Sequence, residues 1–333
     1  MLEGYRIKAF VPAGRKRTLE ILFRYFQRNR HIIDEVMLWQ NTPCKEYVDY
    51  LYEMEKKDLL FQVYTLPKEH TFFYRDLKED QLGVKWGDKT VDFPVNKYGD
   101  VNFGPIQWNT GRFFEYCVEN KTIYIRFDDD VVYLEDDYIP KIVNFRLRHP
   151  EYFLVFGNIW NNAVISWIHQ QEGRIGNEAG TVAEPECMDM VGWGSGEFGE
   201  YIHEILLKSI EEGKSMDFNG TAYHKSLEWM GEGYEMTDGK RFSISNFAFF
   251  GEDFKKFRGK FPDLDEEKFL TEVYPVANGK RSVICNALVS HFTFSPYQKK
   301  YIMENTDLLK RYLDLSKKKY QEGYYNMLNT HDD

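Results

Sequence analysis

The spacing of apolar and polar positions changes period several times within the first 66 residues. The run YRIKAFVPAG (5–14) is mostly apolar and is broken by Pro12 and Gly14, as expected of a buried strand running into a turn. RKRTLEILFRYFQRN (15–29) then switches to helical spacing, with Leu19, Leu22, Phe23 and Phe26 on one side. A second strand is expected in IDEVMLWQNT (33–42), a helix over 44–57, and a third strand in LLFQVYTL (59–66). The order β-α-β-α-β predicts a parallel sheet covered by helices, an α/β fold. Ligands of such sheets bind beyond the carboxyl ends of the strands. Those ends here are Pro12 to Arg17, Trp39 to Thr42, and an aspartate run further on.

Residues 67–104 are polar and irregular, with a small hairpin expected around VKWGDKTVDFPV (84–95). A helix is expected over 106–120, a strand in TIYIRF (122–127), a helix in YIPKIVNFRLRHP (138–150) and a strand in EYFLVFGNIW (151–160). Residues 172–200 are rich in Gly and acidic side chains and predict a long, mobile, functional loop. There follow a helix (201–213), a strand and turn in FSISNFAFFGEDF (242–254), a strand in RSVICNALVSHFTF (281–294), and one or two Lys- and Tyr-rich helices from Tyr297. No repeat or low-complexity linker interrupts the chain, so a single domain is expected over 1–295, with halves at 1–135 and 136–295, and a helical extension at 296–333.

Composition narrows this picture. Of 333 residues, 43% are apolar and 29% charged, as in ordinary soluble proteins. The net charge of −10 argues against a broad nucleic-acid footprint, which needs a basic excess. Aromatics reach 17%, which suits either core packing or a surface on which sugar rings stack. Four cysteines (Cys44, Cys117, Cys187, Cys285) lie far apart without metal-ligand spacing, which suits a reducing compartment. No apolar run is long enough to span a bilayer, and no signal-peptide core is present, so the chain reads as soluble and cytoplasmic. The Lys/Tyr-rich tail could rest on a membrane surface, although a packing helix explains it as well.

The chemistry concentrates in YIRFDDDVVYLEDDY (124–138). Side chains alternate along a strand, so Asp128 and Asp130 share one side and Asp129 takes the other. Two carboxylates on one face at a strand end can grip a hard divalent cation, Mg²⁺ or Mn²⁺, that keeps positions open for phosphate oxygens. The second acidic pair, Asp136 and Asp137, reads as a helix start. Arg126, inside an apolar strand, calls for a carboxylate partner. Arg15, Lys16 and Arg17 could hold diphosphate oxygens or simply be solvated charges at a helix start.

YIRFDDDVV resembles the DxD motif of nucleotide-sugar glycosyltransferases with the GT-A fold. VPAGRKRT and WQNT resemble that fold's nucleotide-binding half, and NFAFFGEDFKKFRGKFPDLDEEKFLTEVYP is similar to the acceptor half of inverting members. The resemblance implies a metal-dependent enzyme that transfers a sugar from a nucleotide-sugar donor, UDP-linked by expectation, to a saccharide acceptor with inversion. It implies that Asp128 and Asp130 are the two acidic DxD positions, with Asp130 on the metal and Asp128 on the ribose or metal. Pro12, Ala13, Gly14, Arg15 and Asn41 would line the nucleotide pocket together with Asp128 and Asp129. His291 would complete the metal shell, the other reading being a hydrogen-bonded core histidine. Asp265 or Glu266 would supply the base; as an alternative Asp265 simply caps a helix. The sequence does not choose between them, and GEDF (251–254) offers a competing acidic pair. Trp193 and Phe198 are candidates for an acceptor platform. Rival functions are a retaining enzyme of the same fold, a nucleotidyltransferase, and a non-catalytic carbohydrate- or Ca²⁺-binding protein.

Overall fold

The computed structural model describes residues 2–42, 45–66, 71–73, 106–108, 110–178, 180–262 and 265–329. The chain divides into two compact units, residues 1–129 with 250–264, and residues 130–249 with 265–333. The expected hairpin over 84–95 lies outside the described residues, as does Cys44.

In the first unit, β1 (Arg6–Ala13), α1 (Lys16–Arg28), β2 (Glu35–Gln40), α2 (Lys45–Lys57) and β3 (Phe61–Tyr64) follow one another. A short antiparallel pair, β4 (Thr71–Phe73) and β5 (Ile106–Trp108), precedes a 3₁₀ helix at Thr110–Tyr116 and then β6 (Thr122–Phe127). The four long strands are all parallel, in the order β3-β2-β1-β6. Helix α1 buries Leu19, Leu22, Phe23 and Phe26, the face its spacing predicts. Aromatics fill this interior: Trp39 stacks on Phe113 at 5.0 Å between ring centres, and Phe114 on Phe261 at 5.5 Å. The 17% aromatic content is therefore spent at least partly on core packing.

The second unit runs through β7 (Val131–Leu134), α3 (Tyr138–Arg148), β8 (Val155–Trp160), α4 (Ala163–Gln171), α5 (Gly196–Glu211), β9 (Leu227–Trp229), β10 (Gly233–Met236) and β11 (Asn246–Phe250). The one-turn helix α6 (Gly251–Phe254) belongs to the first unit. Back in the second come α7 (Glu266–Lys268), a π-helical turn at Phe269–Val273, α8 (Tyr274–Asn278), β12 (Ser282–His291), α9 (Pro296–Asn305) and α10 (Leu308–Asn329). Its strand order is β11-β8-β12-β10-β9, with β7 also on β12. Here β8 and β12 are parallel and the other pairings antiparallel. The α/β class holds across the ten strands of these two sets, while the parallel arrangement is complete only in the first unit.

Local differences from the sequence expectation have physical causes. The helix expected over 106–120 is a strand followed by a 3₁₀ turn. Gly111 lowers helical propensity there, and the Arg112–Glu115 ion pair suits the eclipsed i, i+3 side chains of a 3₁₀ helix. Helix α5 starts at Gly196 rather than 201, because the Ser195 hydroxyl accepts the Phe198 amide at 3.1 Å and caps it. Among the described residues, no helix is long and apolar enough to cross a membrane.

His169, on α4, is fully buried and hydrogen-bonds through Nε2 to Asn158 Oδ1 at 2.9 Å. Burial, with Arg174 adding to it, pushes its pKa down to about 3. The folded state therefore holds a neutral ring while the unfolded chain takes up a proton below about pH 6.5. This residue's contribution to stability is intact above that pH and is lost at about 1.4 kcal/mol per pH unit on acidification toward its folded pKa. Urea unfolding of wild type and His169→Gln between pH 7 and 4.5 should show a smaller acid loss in the variant; parallel curves would contradict the assignment.

Candidate metal centre

Strand β6 is buried throughout and ends at Phe127, so the three aspartates form the turn into β7. Asp129 sits in the first unit with 4% of its surface exposed. Its Oδ2 accepts the backbone amides of Gly14 at 2.7 Å and Arg15 at 2.8 Å, and the Arg15 guanidinium lies 3.3 Å from Oδ1. Arg15 is the N-cap of α1 and makes no side-chain cap of its own, so Asp129 supplies the anion that this helix end favours. Gly14 permits the close approach: a Cβ there would stand 2.8 Å from the Asn41 carbonyl oxygen. Asn41 donates its own amide to Ala13 O at 2.8 Å, and Pro12 and Ala13 pair in register with Trp39 and Gln40. The five residues expected to line a nucleotide pocket thus lie together at the ends of β1 and β2, with Asp129 tying Gly14 and Arg15.

Asp128 is the partner that Arg126 requires: Nη2 lies 2.9 Å from Asp128 Oδ1, and the guanidinium sits over the Phe114 ring at 5.8 Å. Arg126 is 5% exposed, so its charge bears on Asp128 with little screening.

Asp130 and His291 belong to the second unit and are both buried. His291 ends β12, where the ladder with β7 slips: Ser290 pairs with Tyr133 and His291 with Val131. Such irregularities re-aim side chains. Here His291 Nε2 lies 2.8 Å from Asp130 Oδ1, while the Phe292 amide donates to Asp130 O at 2.9 Å. Phe294 stacks on the imidazole at 4.1 Å between ring centres. The His291 ring is buried, as the core reading expects, and its Nε2 lies 2.8 Å from a predicted metal ligand.

One ligand atom from each of Asp128, Asp130 and His291 lies within 4.8 Å of the others, so the three could hold a metal ion. The donor set fits a divalent cation that takes oxygen and imidazole ligands. The 2.8 Å between Asp130 and His291 is close to the edge, about 3 Å, of an octahedron with ~2.1 Å bonds. For Nε2 to ligate, the ring proton must sit on Nδ1.

Asp265 and Glu266 open α7. Asp265 Oδ1 accepts the Lys268 amide at 3.0 Å and its Oδ2 meets Arg241 Nη2 at 2.8 Å, so it does cap a helix. Glu267, which the sequence offers only as a charge favourable to the helix dipole, binds Arg241 Nε at 2.6 Å and accepts from the Cys187 thiol at 3.5 Å. Burial raises its carboxyl above the usual range despite the Arg241 partner. Arg241 also lines a pocket with His224, Ser226, Asp238, Lys240 and Phe242.

Other candidates resolve into structural roles. Phe198 is 1% exposed within α5, which removes it as a surface platform, whereas Trp193 is half-buried. Asp137 precedes α3 and pairs with Lys141 at 3.3 Å, and Asp136 pairs with Lys319 at 2.9 Å. In GEDF, Glu252 accepts the Lys121 amide. Sequence reasoning also missed Asn161, His203 and Gln298, which hold the backbone around His291. The only signal was the paired asparagines of NIWNN, directly after an apolar strand.

A scan of protein-family models and a search of curated proteins each returned no match to the chain.

Proposed function

We propose that the protein is a metal-dependent glycosyltransferase of the GT-A type, moving a sugar from a nucleotide-sugar donor to a saccharide hydroxyl. The observation that carries this is the convergence of Asp128, Asp130 and His291 at the carboxyl end of a buried parallel strand. A mixed carboxylate and imidazole set favours Mn²⁺ over Mg²⁺, because imidazole suits the transition metals better. A divalent ion held there would neutralise the diphosphate leaving group and act on it as a Lewis acid. The chain's own residues do the rest. The β1 and β2 ends, shaped by Asp129, would receive the nucleotide, since ligands of parallel sheets bind beyond the carboxyl ends of the strands. Arg126 holds Asp128 in place at 2.9 Å and offsets part of the acidic charge.

Inversion needs a carboxylate that takes the acceptor hydroxyl proton while that hydroxyl attacks the anomeric carbon. Asp265 or Glu266 would supply it; the two Asp265 oxygens meet the Lys268 amide and Arg241, a contact that would orient that carboxylate as well as cap the helix. Replacement of each residue tests this. Of Glu266→Gln and Asp265→Asn, the one that removes the base should lower transfer about 10²-fold or more, the usual contribution of general base catalysis, and the other should leave the rate near wild type. Transfer unaffected by either change, in protein that Asp130→Asn inactivates, would favour the retaining mechanism. The function itself is tested by following release of nucleoside diphosphate from a panel of sugar donors with Mn²⁺ and saccharide acceptors. Release from none of them would favour a non-catalytic carbohydrate-binding role.

A further inference from the structure

Asn161 follows β8 directly and has φ +67°, one of three non-glycine residues with positive φ among those described. Its surface is 1% exposed, and backbone strain of this kind persists only where the surroundings enforce it. In that conformation its amide nitrogen donates to His291 O at 3.2 Å, Phe292 O at 2.9 Å and Gln298 Oε1 at 3.1 Å. Gln298, fully buried at the start of α9, accepts the Phe294 amide at 2.9 Å through the same oxygen. Its own amide donates to Asn161 Oδ1 at 3.2 Å and to Ser195 O at 3.3 Å. Helix α5 packs closely over it: a Cβ on Gly199 would come within 3.0 Å of the Gln298 side chain. A third buried side chain, His203, bonds the Phe292 carbonyl through Nε2 at 3.0 Å and Tyr312 Oη through Nδ1 at 2.7 Å.

Three backbone groups of one short segment are thus held by buried side chains: the His291 carbonyl, the Phe292 carbonyl and the Phe294 amide. The same segment carries the His291 imidazole and, in Phe294, the ring stacked on it. A strained asparagine is a costly way to satisfy two carbonyls that a regular strand end would leave to the solvent or a neighbouring amide. Resting on the metal centre proposed above, we infer that Asn161 and Gln298 are positioning residues, which hold His291 in its ligating geometry before any ion binds. They touch neither substrate nor metal and act through the 291–294 backbone.

Asn161→Gly separates the two contributions, because glycine accepts the positive φ and only the amide contacts are lost. Gln298→Met keeps volume and removes the polar links. Mn²⁺ binding by the full chain is measured by calorimetry and by the Mn²⁺ electron paramagnetic resonance spectrum, with a circular-dichroism melt of each protein. Folded variants should bind Mn²⁺ about ten-fold or more weakly, the usual cost of removing a group that orients a metal ligand, with a changed spectrum. Folded variants with wild-type affinity and spectrum would overturn the inference. Where neither variant folds, hydrogen exchange on the wild type decides. Amides of 290–298 should be equally protected without and with Mn²⁺, and protection that appears only on adding Mn²⁺ would overturn it. Failure of the wild type to bind Mn²⁺ is a separate result, which removes the metal centre itself.

Discussion

Asp130→Asn should bind Mn²⁺ too weakly to detect at micromolar concentrations and should transfer sugar about 10³-fold more slowly than wild type, while melting within a few degrees of it. The rate loss follows from the several kcal/mol that a bound cation contributes to a developing diphosphate charge, with ~1.4 kcal/mol for each factor of ten. The small stability change follows from shape. Asparagine keeps the shape of the side chain and an oxygen for the position 2.8 Å from His291 Nε2, and the main-chain bond from Phe292 to residue 130 is untouched. Only the anionic oxygen is lost. Calorimetric Mn²⁺ titration beside a melt distinguishes this from general damage. A variant that binds Mn²⁺ as wild type does would show that Asp130 is only a hydrogen-bond acceptor for a core histidine.

Asp129→Ala should lower the free energy of unfolding by about 3 kcal/mol, although Asp129 ligates nothing in this account. Hydrogen bonds to a charged group are worth about 1.5–3 kcal/mol each, and Asp129 accepts two backbone amides plus the Arg15 guanidinium. Without it, the buried Gly14 amide loses its partner and the N-terminus of α1 loses its anion. Water reaching the half-exposed Arg15 side offsets part of the loss, which keeps the figure below the sum of the individual bonds. Asp129→Asn should fall between, since it keeps an acceptor without the charge. Urea unfolding measures both, and an Asp129→Ala loss under about 1 kcal/mol would show that the β1 turn holds itself.

These two predictions turn on a separation visible in the sequence. The sequence reading set Asp128 and Asp130 apart from Asp129 by strand alternation; the three lie in a turn instead, yet Asp129 does have its own partners, the Gly14 and Arg15 amides. The β1-α1-β2-α2-β3 run of the first unit was legible because its apolar spacing changes period cleanly from element to element, whereas the 106–120 segment was misread as a helix. The second unit was less so. Strand β7 is only four residues long and starts immediately after the acidic turn, too short for a period to register. Strands β9 and β10 are as short, and α4 is so fully buried that no polar face marks its helical spacing.

Pair chemistry was legible only by type. Arg126 demanded a carboxylate, but that the carboxylate is Asp128, a member of the metal group, depends on side-chain direction at the strand end. His291 was one of two readings until the slip in the β7–β12 ladder set it beside Asp130. Phe198 was misplaced because the glycines around it suggested a loop, whereas Ser195 caps a helix that runs straight through them. Asn161 was invisible for a different reason. Positive φ at a non-glycine residue is imposed by tertiary contacts and leaves no mark in local sequence.

The central claim is that Asp128, Asp130 and His291 hold an ion which in turn holds a nucleotide diphosphate. Titration of the purified protein with UDP and UDP-sugars, in the presence of Mn²⁺ and again after chelation, tests it most directly. The account predicts saturable binding with Mn²⁺ that is lost on chelation and lost in Asp130→Asn. Binding of equal strength with and without Mn²⁺, or no binding of any nucleotide under either condition, would contradict it.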